Sequence, residues 1–368
     1  MATVAIAGAG AIARAYAALL AREGHAAALW SPSGAGVADL PPADAPAAEW
    51  PGARAAVLAY AGAAEGRATV AVLHDPAAIG RADVVIVAVP APAYAVVLPQ
   101  VAAHVTSRQC VFVSAALSLA PLWLAELAAS RGAQPLIAAA GTTVATARGT
   151  GGGVAIMTIR GRLSVAPLPA AEGPRARAAL AALFGDRFDG AANVLAATLT
   201  NISPVAHAAM ALANVTRIER GEAWPQYHYL TPAVARLAGA MDRERRAIAA
   251  AFGLDVTTIE QHFQRSFGVA ATGLADIAAE LHAKRGGPPG PTTLDTRFVL
   301  EDVPYGLVCN AALARVVNVA VPVTDATITL VSTLYGMDFA QANPLLDALG
   351  LAVTSRDALL ARCAGAAR

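Results

Sequence analysis

Hydrophobic positions at the start of the chain form two short continuous runs on either side of a stretch with helical spacing. The run Val4–Ala7 predicts a buried strand, and apolar residues at helical spacing over Arg14–Glu23 predict a helix. Gly24 ends this helix, and Ala26–Trp30 predicts a second strand. The chain therefore opens with a compact βαβ unit, which is the building block of a parallel sheet.

Short apolar runs continue to alternate with helical spacing as far as residue 190. The further predicted strands are Thr69–Leu73, Val84–Val89, Cys110–Ser114, Leu136–Ala140 and a final pair, Val154–Ile159 and Arg162–Val165. The continuous β-branched run Val84–Val89 is typical of a parallel strand that is covered on both faces. Residues 34–55 are rich in Gly, Pro and Ala, which predicts a surface loop. We therefore expect an α/β domain over residues 1–190.

Beyond Gly190 the hydrophobic pattern is helical. The predicted helices are Asn193–Arg220, Pro232–Phe252, Val256–Arg265, Gly273–Arg285, Pro304–Asn318, Asp325–Tyr335, Pro344–Leu349 and Ser355–Ala364. Pro204 either kinks the first helix or opens a new one with Ser203 as its cap. Thr231 and Ser355 are predicted caps for two later helices. Residues 191–368 are thus expected to form an all-helical second domain.

Composition narrows the class of protein. Hydrophobic residues make up 56% of the chain and charged residues 14%, which argues against long disordered segments. A formal net charge of +1 gives no electrostatic footprint for nucleic acid or an anionic membrane. The 3 cysteines are far apart and form no CxxC pair, so neither a disulfide framework nor a metal site is expected. Because the apolar N-terminus lacks a basic leader, we expect a cytoplasmic protein without a membrane span, and a homodimer is compatible with the sequence.

The turn between the first strand and the first helix has the spacing of a dinucleotide-binding site. Its residues are Gly8, Ala9, Gly10, Ala11, Ile12 and Ala13. Gly8 permits the tight turn, Gly10 lets a pyrophosphate approach the backbone, and Ala13 keeps the helix close to the strand. The N–H groups at the helix start would bind the phosphates, and Pro90, where the Val84–Val89 strand ends, lies at the same carboxyl edge of the sheet. This pattern predicts a Rossmann-type domain that binds a nicotinamide or flavin nucleotide.

The end of the second predicted strand bears on the choice of nucleotide. Proteins of this type that select NAD place Asp or Glu here, on the ribose 2′-hydroxyl. This chain has Ser31 and Ser33 instead, which can donate hydrogen bonds to a 2′-phosphate. The sequence therefore favours NADP(H), with NAD(H) as the alternative.

Two polar residues in the helical region could carry acid–base chemistry. His207 stands among Val, Ala and Met, where a lone histidine is more often a core residue than a catalyst. Glu301 and Asp302 precede Pro304, and a helix start needs only one of these carboxylates. A histidine oriented by a carboxylate can handle protons near neutral pH. The charges of 242–246, by contrast, predict an exposed helix face.

Three runs of the helical region resemble the octopine/nopaline (opine) dehydrogenases. They are RFVLEDVPYGL at 297–307, NISPVAH followed by ALAN within 201–214, and TPxV followed by DxER within 231–245. The resemblance covers almost the whole chain. It implies the NAD(P)H-dependent reductive condensation of an amino acid with a 2-oxo acid, pyruvate or 2-oxoglutarate, to give a secondary amine. It also implies that His207 is the catalytic histidine and that Asp302 is its acidic partner.

The sequence departs from this family pattern at two places that concern the substrate. Ala208 stands where a proline often follows the family histidine, and 141–148 lacks the glutamate and aromatic residue common there. Substrate carboxylates need cationic or hydroxyl partners. The candidates in this chain are Thr142, Thr143, Arg148, Arg297 and Tyr305.

Two other functions stay open at the level of sequence. Reductases of glycerol 3-phosphate, 3-hydroxyacids or ketopantoate resemble this two-domain layout but rely on an active-site lysine. Lys284 is the single lysine of the chain and lies beside a Gly/Pro loop, which disfavours this alternative. A dinucleotide-binding sensor without turnover would need the glycine turn, but it would not need His207 together with Asp302.

Overall fold

One sheet organises the N-terminal part of the protein. A computed structural model describes residues 1–365, apart from the side chain of Arg285. Its strands are β1 Thr3–Ala7, β2 Ala26–Trp30, β3 Arg54–Gly62, β4 Gly66–Leu73, β5 Val84–Val87, β6 Cys110–Val113, β7 Leu136–Ala139, β8 Ala145–Thr150, β9 Gly153–Ile159, β10 Leu163–Leu168 and β11 Phe188–Gly190. The spatial order is β11-β10-β7-β6-β5-β1-β2-β4-β3-β9-β8.

The centre of the sheet is parallel, from β4 through β2, β1, β5 and β6 to β7. β1 lies between β2 and β5, so the chain leaves β1 toward one side of the sheet and later fills the other. Ligands of open α/β sheets bind at such a switch point, outside the carboxyl ends of the strands. The glycine turn after β1 lies at this position.

Loops and helices make up the rest of the described chain. They are α1 Ala11–Arg22, α2 Tyr94–His104, α3 Ala120–Ala129, α4 Gly173–Phe184, α5 Val194–Thr200, α6 Ser203–Ala213, α7 Val215–Glu219, α8 Pro232–Ala251, α9 Ile259–Phe267, α10 Leu274–Arg285, α11 Arg297–Leu300, α12 Val308–Val316, α13 Pro322–Tyr335, α14 Pro344–Ala348 and α15 Arg356–Ala364. The chain divides into two compact units, Met1–Ala197 with the C-terminal residues from Arg362, and Thr198–Ala361. A parallel-rich sheet domain and a helical domain confirm the predicted fold class.

The sheet contains three strands that the sequence did not predict. They are β3, β8 and β11, and the predicted loop over 34–55 includes the first residues of β3. Alanines alternate with larger residues in β3, so its period of two gives little hydrophobic contrast. The two last predicted strands are present and lie in different parts of the sheet, because β9 pairs with β3 and β8, while β10 pairs with β7 and β11.

The first long predicted helix is broken into α5, α6 and α7. Asn201 interrupts it, and its side-chain oxygen accepts a hydrogen bond of 3.0 Å from the backbone N–H of Ser203. Pro204 lies in the first turn of α6, which is one of the two predicted alternatives, although Ser203 does not act as its cap. By length and composition 194–213 could cross a membrane, but 83% of its most apolar window is buried, which is typical of a core helix.

The two other predicted caps have different outcomes. The hydroxyl of Ser355 accepts a hydrogen bond of 3.2 Å from the N–H of Ala358 and caps α15. Thr231 stands at the N-cap position of α8, but its side chain makes no capping bond. Position alone therefore identified both helix starts but only one capping interaction.

The predicted exposed charges on α8 are partly wrong, because Asp242 and Arg245 are buried. Arg245 is 1% exposed and donates hydrogen bonds to the carboxylate of Asp242 and to the carbonyls of Leu199 and Thr257. Burial lowers the pKa of Arg245, which the neighbouring carboxylate partly offsets. This ion pair joins α8 to the end of α5 and to the segment before α9. A helical wheel of α8 cannot reveal carbonyl partners that come from other segments.

Candidate active site

A histidine and an aspartate that are distant in sequence form a hydrogen-bonded pair in the helical unit. Nδ1 of His207 lies 2.7 Å from Oδ2 of Asp302. The side chain of Asp302 is 0% exposed and that of His207 is 18% exposed. Oδ1 of Asp302 is buried and has no hydrogen-bond partner among the described residues, so the imidazole is the group that faces this carboxylate. A buried carboxylate on one ring nitrogen fixes the tautomer and leaves the other nitrogen for a ligand.

Close packing of two segments brings this pair together. His207 lies on α6, one turn after Pro204, and Asp302 lies just before a π-helical turn, Val303–Leu307. Gly306 in that turn packs on the ring of Pro204 so closely that a Cβ atom would lie 2.2 Å from Cγ of the proline. π-helical turns are rare and occur frequently at functional sites. The absence of a side chain at position 306 therefore permits the short distance between His207 and Asp302.

Replacing Gly306 with alanine is expected to separate the two segments. Overpacking of this kind costs about 1–3 kcal/mol in the free energy of unfolding, because neither the proline ring nor the helix can yield easily. We expect kcat to fall as well, since a shift of about 1 Å in a catalytic group can cost roughly 100-fold. Urea unfolding and steady-state kinetics measure both effects.

Gly239→Ala is the matched control for this substitution. Gly239 lies within α8, and a Cβ atom there would meet only the Arg243 side chain, at 3.7 Å. Alanine in a helix interior is about 0.5–1 kcal/mol more favourable than glycine, so this variant should be at least as stable as wild type. Wild-type stability and turnover in Gly306→Ala would contradict the packing argument.

The ring of Phe298 covers one face of the His207 imidazole. The two ring centroids are 3.8 Å apart and the ring planes differ by 3°. Phe298 was missed at the level of sequence, because an aromatic residue at the start of α11 looks like ordinary packing. Its spacing of four residues before Asp302 is the one signal that could have indicated a shared helix face.

Two predicted substrate residues, Arg297 and Tyr305, lie on the same segment as Asp302. Arg297 is largely exposed and forms an ion pair of 3.2 Å with Glu301. Tyr305 is buried, and burial followed by the charge of Glu301 raises the pKa of its hydroxyl, which stays protonated. The segment thus brings a cation and a neutral hydroxyl close in sequence to the dyad.

In the sheet unit, the glycine turn has the geometry that phosphate binding needs. Gly8 has a φ of +132°, and a Cβ atom there would lie 2.3 Å from the carbonyl oxygen of Ala88 at the end of β5. Gly10 has an ordinary φ of −73° and precedes α1 without a capping side chain. No atom lies within 4 Å of the position of a Cβ atom on Gly10. The first N–H groups of α1 are therefore open to an anion, as a pyrophosphate requires.

Arg14 fixes the loop after β2 against this turn. Its buried guanidinium donates to the carbonyls of Ala9, Gly36 and Gly153 and pairs with Asp39. The hydrogen bond from Arg14 holds the pKa of Asp39 below its usual range, so this carboxylate is ionised and already paired. Asp39 is the one acidic residue between Trp30 and Leu40.

The two predicted serines begin this loop. Their Oγ atoms lie 3.4 Å apart, and the hydroxyl of Ser33 accepts a hydrogen bond from the N–H of Ala35. Ser31 is half-buried and Ser33 is exposed. Pro90 is exposed in the segment after β5, two residues beyond Ala88.

The predicted residues Thr142 and Thr143 follow β7 and are held by their backbones. The carbonyl of Thr142 accepts from the N–H of Ala115, and the carbonyl of Thr143 accepts from Arg160 at 2.9 Å. Tyr16 of α1 supports the same turn, because its hydroxyl accepts from the N–H of Val144 at 2.9 Å. Burial raises the pKa of Tyr16 to about 12, so it acts as a neutral structural hydroxyl.

Arg148, another predicted substrate residue, follows this turn along the chain. It lies exposed on the edge strand β8 and is paired across the ladder with Ala155. The structure therefore joins His207 to Asp302 by a hydrogen bond, and Thr142 and Thr143 lie next to each other in the turn after β7. Among the described residues there is no group of three or more His, Cys, Asp or Glu side chains that could hold a metal ion.

Comparisons with known proteins agree with these features. Residues 190–335 match the family model described as NAD/NADP octopine/nopaline dehydrogenase, alpha-helical domain. An opine dehydrogenase of Arthrobacter sp. (strain 1C) is 32% identical over 277 residues, covering 74% of this chain and 77% of the relative.

Solved structures show the same fold. A structure of octopine dehydrogenase in complex with NADH and agmatine has a TM-score of 0.76 at 18% identity and covers 100% of this chain and 99% of its own. A yersinopine dehydrogenase with NADP⁺ bound has a TM-score of 0.67 at 18% identity, covering 99% of this chain and 98% of its own.

Fold, glycine turn and relatives together define an NAD(P)-dependent oxidoreductase with a Rossmann-type domain and a helical domain. Within that class, the chain belongs to the octopine/nopaline (opine) dehydrogenase family. Its activity is therefore of the opine dehydrogenase type, the reductive condensation of an amino acid with a 2-oxo acid. The predicted family, fold class and enzyme class are confirmed.

Proposed function

We propose that His207 and Asp302 are the catalytic dyad of this reaction, with pyruvate or 2-oxoglutarate as the 2-oxo acid. The observation that carries the proposal is the hydrogen bond of 2.7 Å between Nδ1 of His207 and the buried carboxylate of Asp302. It holds one ring nitrogen and leaves Nε2 as the nitrogen for substrate. An imidazole so oriented can serve as an acid or a base near neutral pH.

The dyad's task is proton transfer while the amine and the 2-oxo acid combine. Attack of the amine on C2 of the 2-oxo acid gives a carbinolamine, whose hydroxyl must leave as water. His207 donates its Nε2 proton to that hydroxyl, and Asp302 stabilises the imidazolium before the transfer and keeps the tautomer afterwards. NAD(P)H held at the glycine turn would supply the hydride that reduces the resulting protonated imine to the secondary amine. In the reverse direction, His207 accepts the proton from the attacking water.

The glycine turn fits a dinucleotide in this role. The residues that would hold the pyrophosphate are Gly8, Ala9, Gly10, Ala11, Ile12 and Ala13, with Pro90 at the neighbouring strand end. The open space over Gly10 and the uncapped start of α1 support this assignment. For the substrate carboxylates we propose Thr142, Thr143, Arg297 and Tyr305. Arg148, exposed on β8, is the weakest of the predicted candidates.

We propose NADP(H) as the preferred cofactor because Ser31 and Ser33 replace the usual acid and because Asp39 is paired with Arg14. Ser31→Asp should weaken NADPH binding by roughly tenfold or more and NADH binding much less, since only NADPH carries a 2′-phosphate. Fluorescence titration of both nucleotides measures the two affinities.

Ser31→Asn is the control, because it adds similar volume without charge and should change both affinities equally. A wild-type preference for NADH, or equal weakening of both nucleotides by Ser31→Asp, would show that Ser31 does not read the 2′ position.

A screen of amino acid and 2-oxo acid pairs tests the proposed activity. Loss of NADPH or NADH absorbance should require both substrates, and His207→Gln should abolish it in every active pair.

The lysine-dependent alternative is not supported, because Lys284 is exposed and its ammonium pairs with Glu280. The cytoplasmic location and the homodimer stay predictions, and light scattering would show a dimer as twice the 37.1 kDa chain mass.

A further inference from the structure

The hydrogen bond to Asp302 does not by itself fix the orientation of the His207 ring. The ring is held by its Cβ–Cγ bond and by one hydrogen bond at Nδ1, but coupled changes of χ1 and χ2 can still tilt its plane while that hydrogen bond bends. Such tilting would displace Nε2, the nitrogen that must meet the substrate. A second restraint, acting on the ring face, is needed to hold Nε2 in place.

Phe298 supplies such a restraint. Its ring lies parallel to the imidazole, with ring planes 3° apart and centroids 3.8 Å apart. At this separation the rings are in van der Waals contact over their faces, so tilting either ring away from the parallel arrangement brings it against the other. The contact therefore restrains the tilting that the hydrogen bond leaves open.

The same short segment provides both restraints. Phe298 and Asp302 are four residues apart, and the backbone at Glu301 and Asp302 remains in the right-handed helical region. Residues with this spacing lie on one face of a helix. The N–H of Phe298 donates to the hydroxyl of Thr296, which anchors the start of α11. One helical face thus presents a carboxylate to Nδ1 of the imidazole and a parallel ring to its face.

The parallel contact is also electrostatically favourable for a charged histidine. A cation over the face of an aromatic ring is attracted by it, so the stack suits an imidazole that carries protons on both nitrogens. Phe298 is only half-buried, and its ring face is used on His207.

We propose that Phe298 is a positioning residue of the reaction, which holds the plane of the His207 ring so that Nε2 meets the substrate. The proposal rests on the acid–base role proposed above for His207. Phe298 acts through the histidine, so its loss should change the chemical step and leave substrate and nucleotide binding nearly unchanged.

The kinetic test compares a flat and a non-flat replacement. Phe298→Leu keeps an apolar side chain but removes the ring face, and kcat should fall roughly 10- to 100-fold with both KM values and the NADPH affinity within about twofold. Phe298→Tyr keeps the ring and should restore kcat to within about threefold of wild type. Phe267→Leu, a half-buried phenylalanine on α9, is the control and should match wild type. Wild-type kcat in Phe298→Leu, or equal losses in the Leu and Tyr variants, would overturn the proposal.

A spectroscopic test is independent of turnover. In wild type, the ring protons of His207 should resonate upfield because of the Phe298 ring current, and the signal is assigned by its absence in His207→Gln. The upfield shift should persist in Phe298→Tyr and vanish in Phe298→Leu. An unshifted His207 signal in wild type would overturn the proposal even if Phe298→Leu failed to fold. Turnover by no substrate pair in wild type would instead count against the proposed function.

Discussion

Replacing Asp302 with asparagine is expected to lower kcat by about two to four orders of magnitude. The same change in the serine-protease triad costs about 10⁴-fold, because asparagine holds the wrong tautomer and cannot stabilise the imidazolium. A reaction in which the cofactor supplies the hydride can lose less. Nucleotide affinity should hardly change, because the glycine turn belongs to the other unit. Stopped-flow and steady-state kinetics measure the loss.

The double variant of His207 and Asp302 tests whether the two residues act as one unit. If they do, the kcat of the double variant His207→Gln with Asp302→Asn should be scarcely lower than that of the slower single variant. Each change alone already disables the same hydrogen-bonded pair. If His207 is instead a core residue and Asp302 a helix cap, turnover of each folded variant should be near normal.

The free energy of unfolding provides a second test of the His207–Asp302 pair. Because Asp302 is 0% exposed and its Oδ1 atom has no partner among the described residues, His207→Ala would leave an isolated buried charge. Removing one partner of a buried ion pair costs about 3–5 kcal/mol in the free energy of unfolding. Adding Asp302→Asn removes the charge and should recover much of this loss. Losses that simply add would contradict the coupling.

Gly10→Val is expected to abolish nucleotide binding in a protein that still folds. Gly10 has an ordinary φ, and a Cβ atom added there meets no protein atom within 4 Å, so a side chain at this position is compatible with the fold. The same space is where a pyrophosphate must approach the start of α1, and the branched side chain would occupy it. We expect the NADPH affinity to fall by 100-fold or more, which is about 2.7 kcal/mol. Fluorescence titration gives the affinity, and circular dichroism checks the fold.

Gly161→Val is the control for this substitution. Gly161 is also exposed, has no atom within 4 Å of its Cβ position and lies in a turn remote in sequence from β1. The control should bind NADPH like wild type. Unchanged NADPH affinity in Gly10→Val would show that the nucleotide does not bind at this turn.

The sequence was sufficient to identify both residues of the dyad as candidates for acid–base chemistry. Packing requires neither a histidine inside an apolar helix nor a second carboxylate beside a helix start. Their pairing across 95 positions followed from the resemblance and from the chemistry, and the structure shows the bond. Phe298 could not be identified in the same way, since its role depends on a ring plane that no spacing specifies.

Partners that the sequence does not reveal also explain why the charges of α8 were wrongly predicted to be exposed. Asp242 and Arg245 look like exposed charges because their partners are the carbonyl of Leu199, the carbonyl of Thr257 and the N–H of Ile259. Every residue has such backbone groups, so nothing in the sequence marks these. Likewise, the role of Gly306 appears only when Pro204 is seen against it.

The most direct test of the account follows the amine into the product. Purified enzyme is supplied with NADPH or NADH, a 2-oxo acid and a ¹⁵N-labelled amino acid, and the molecular mass of the product is measured by mass spectrometry. The account predicts a secondary amine that carries both carbon skeletons and the label, with nucleotide oxidised in equal amount and only when the amine is present. An unlabelled 2-hydroxy acid, formed at the same rate with or without the amine, would contradict it.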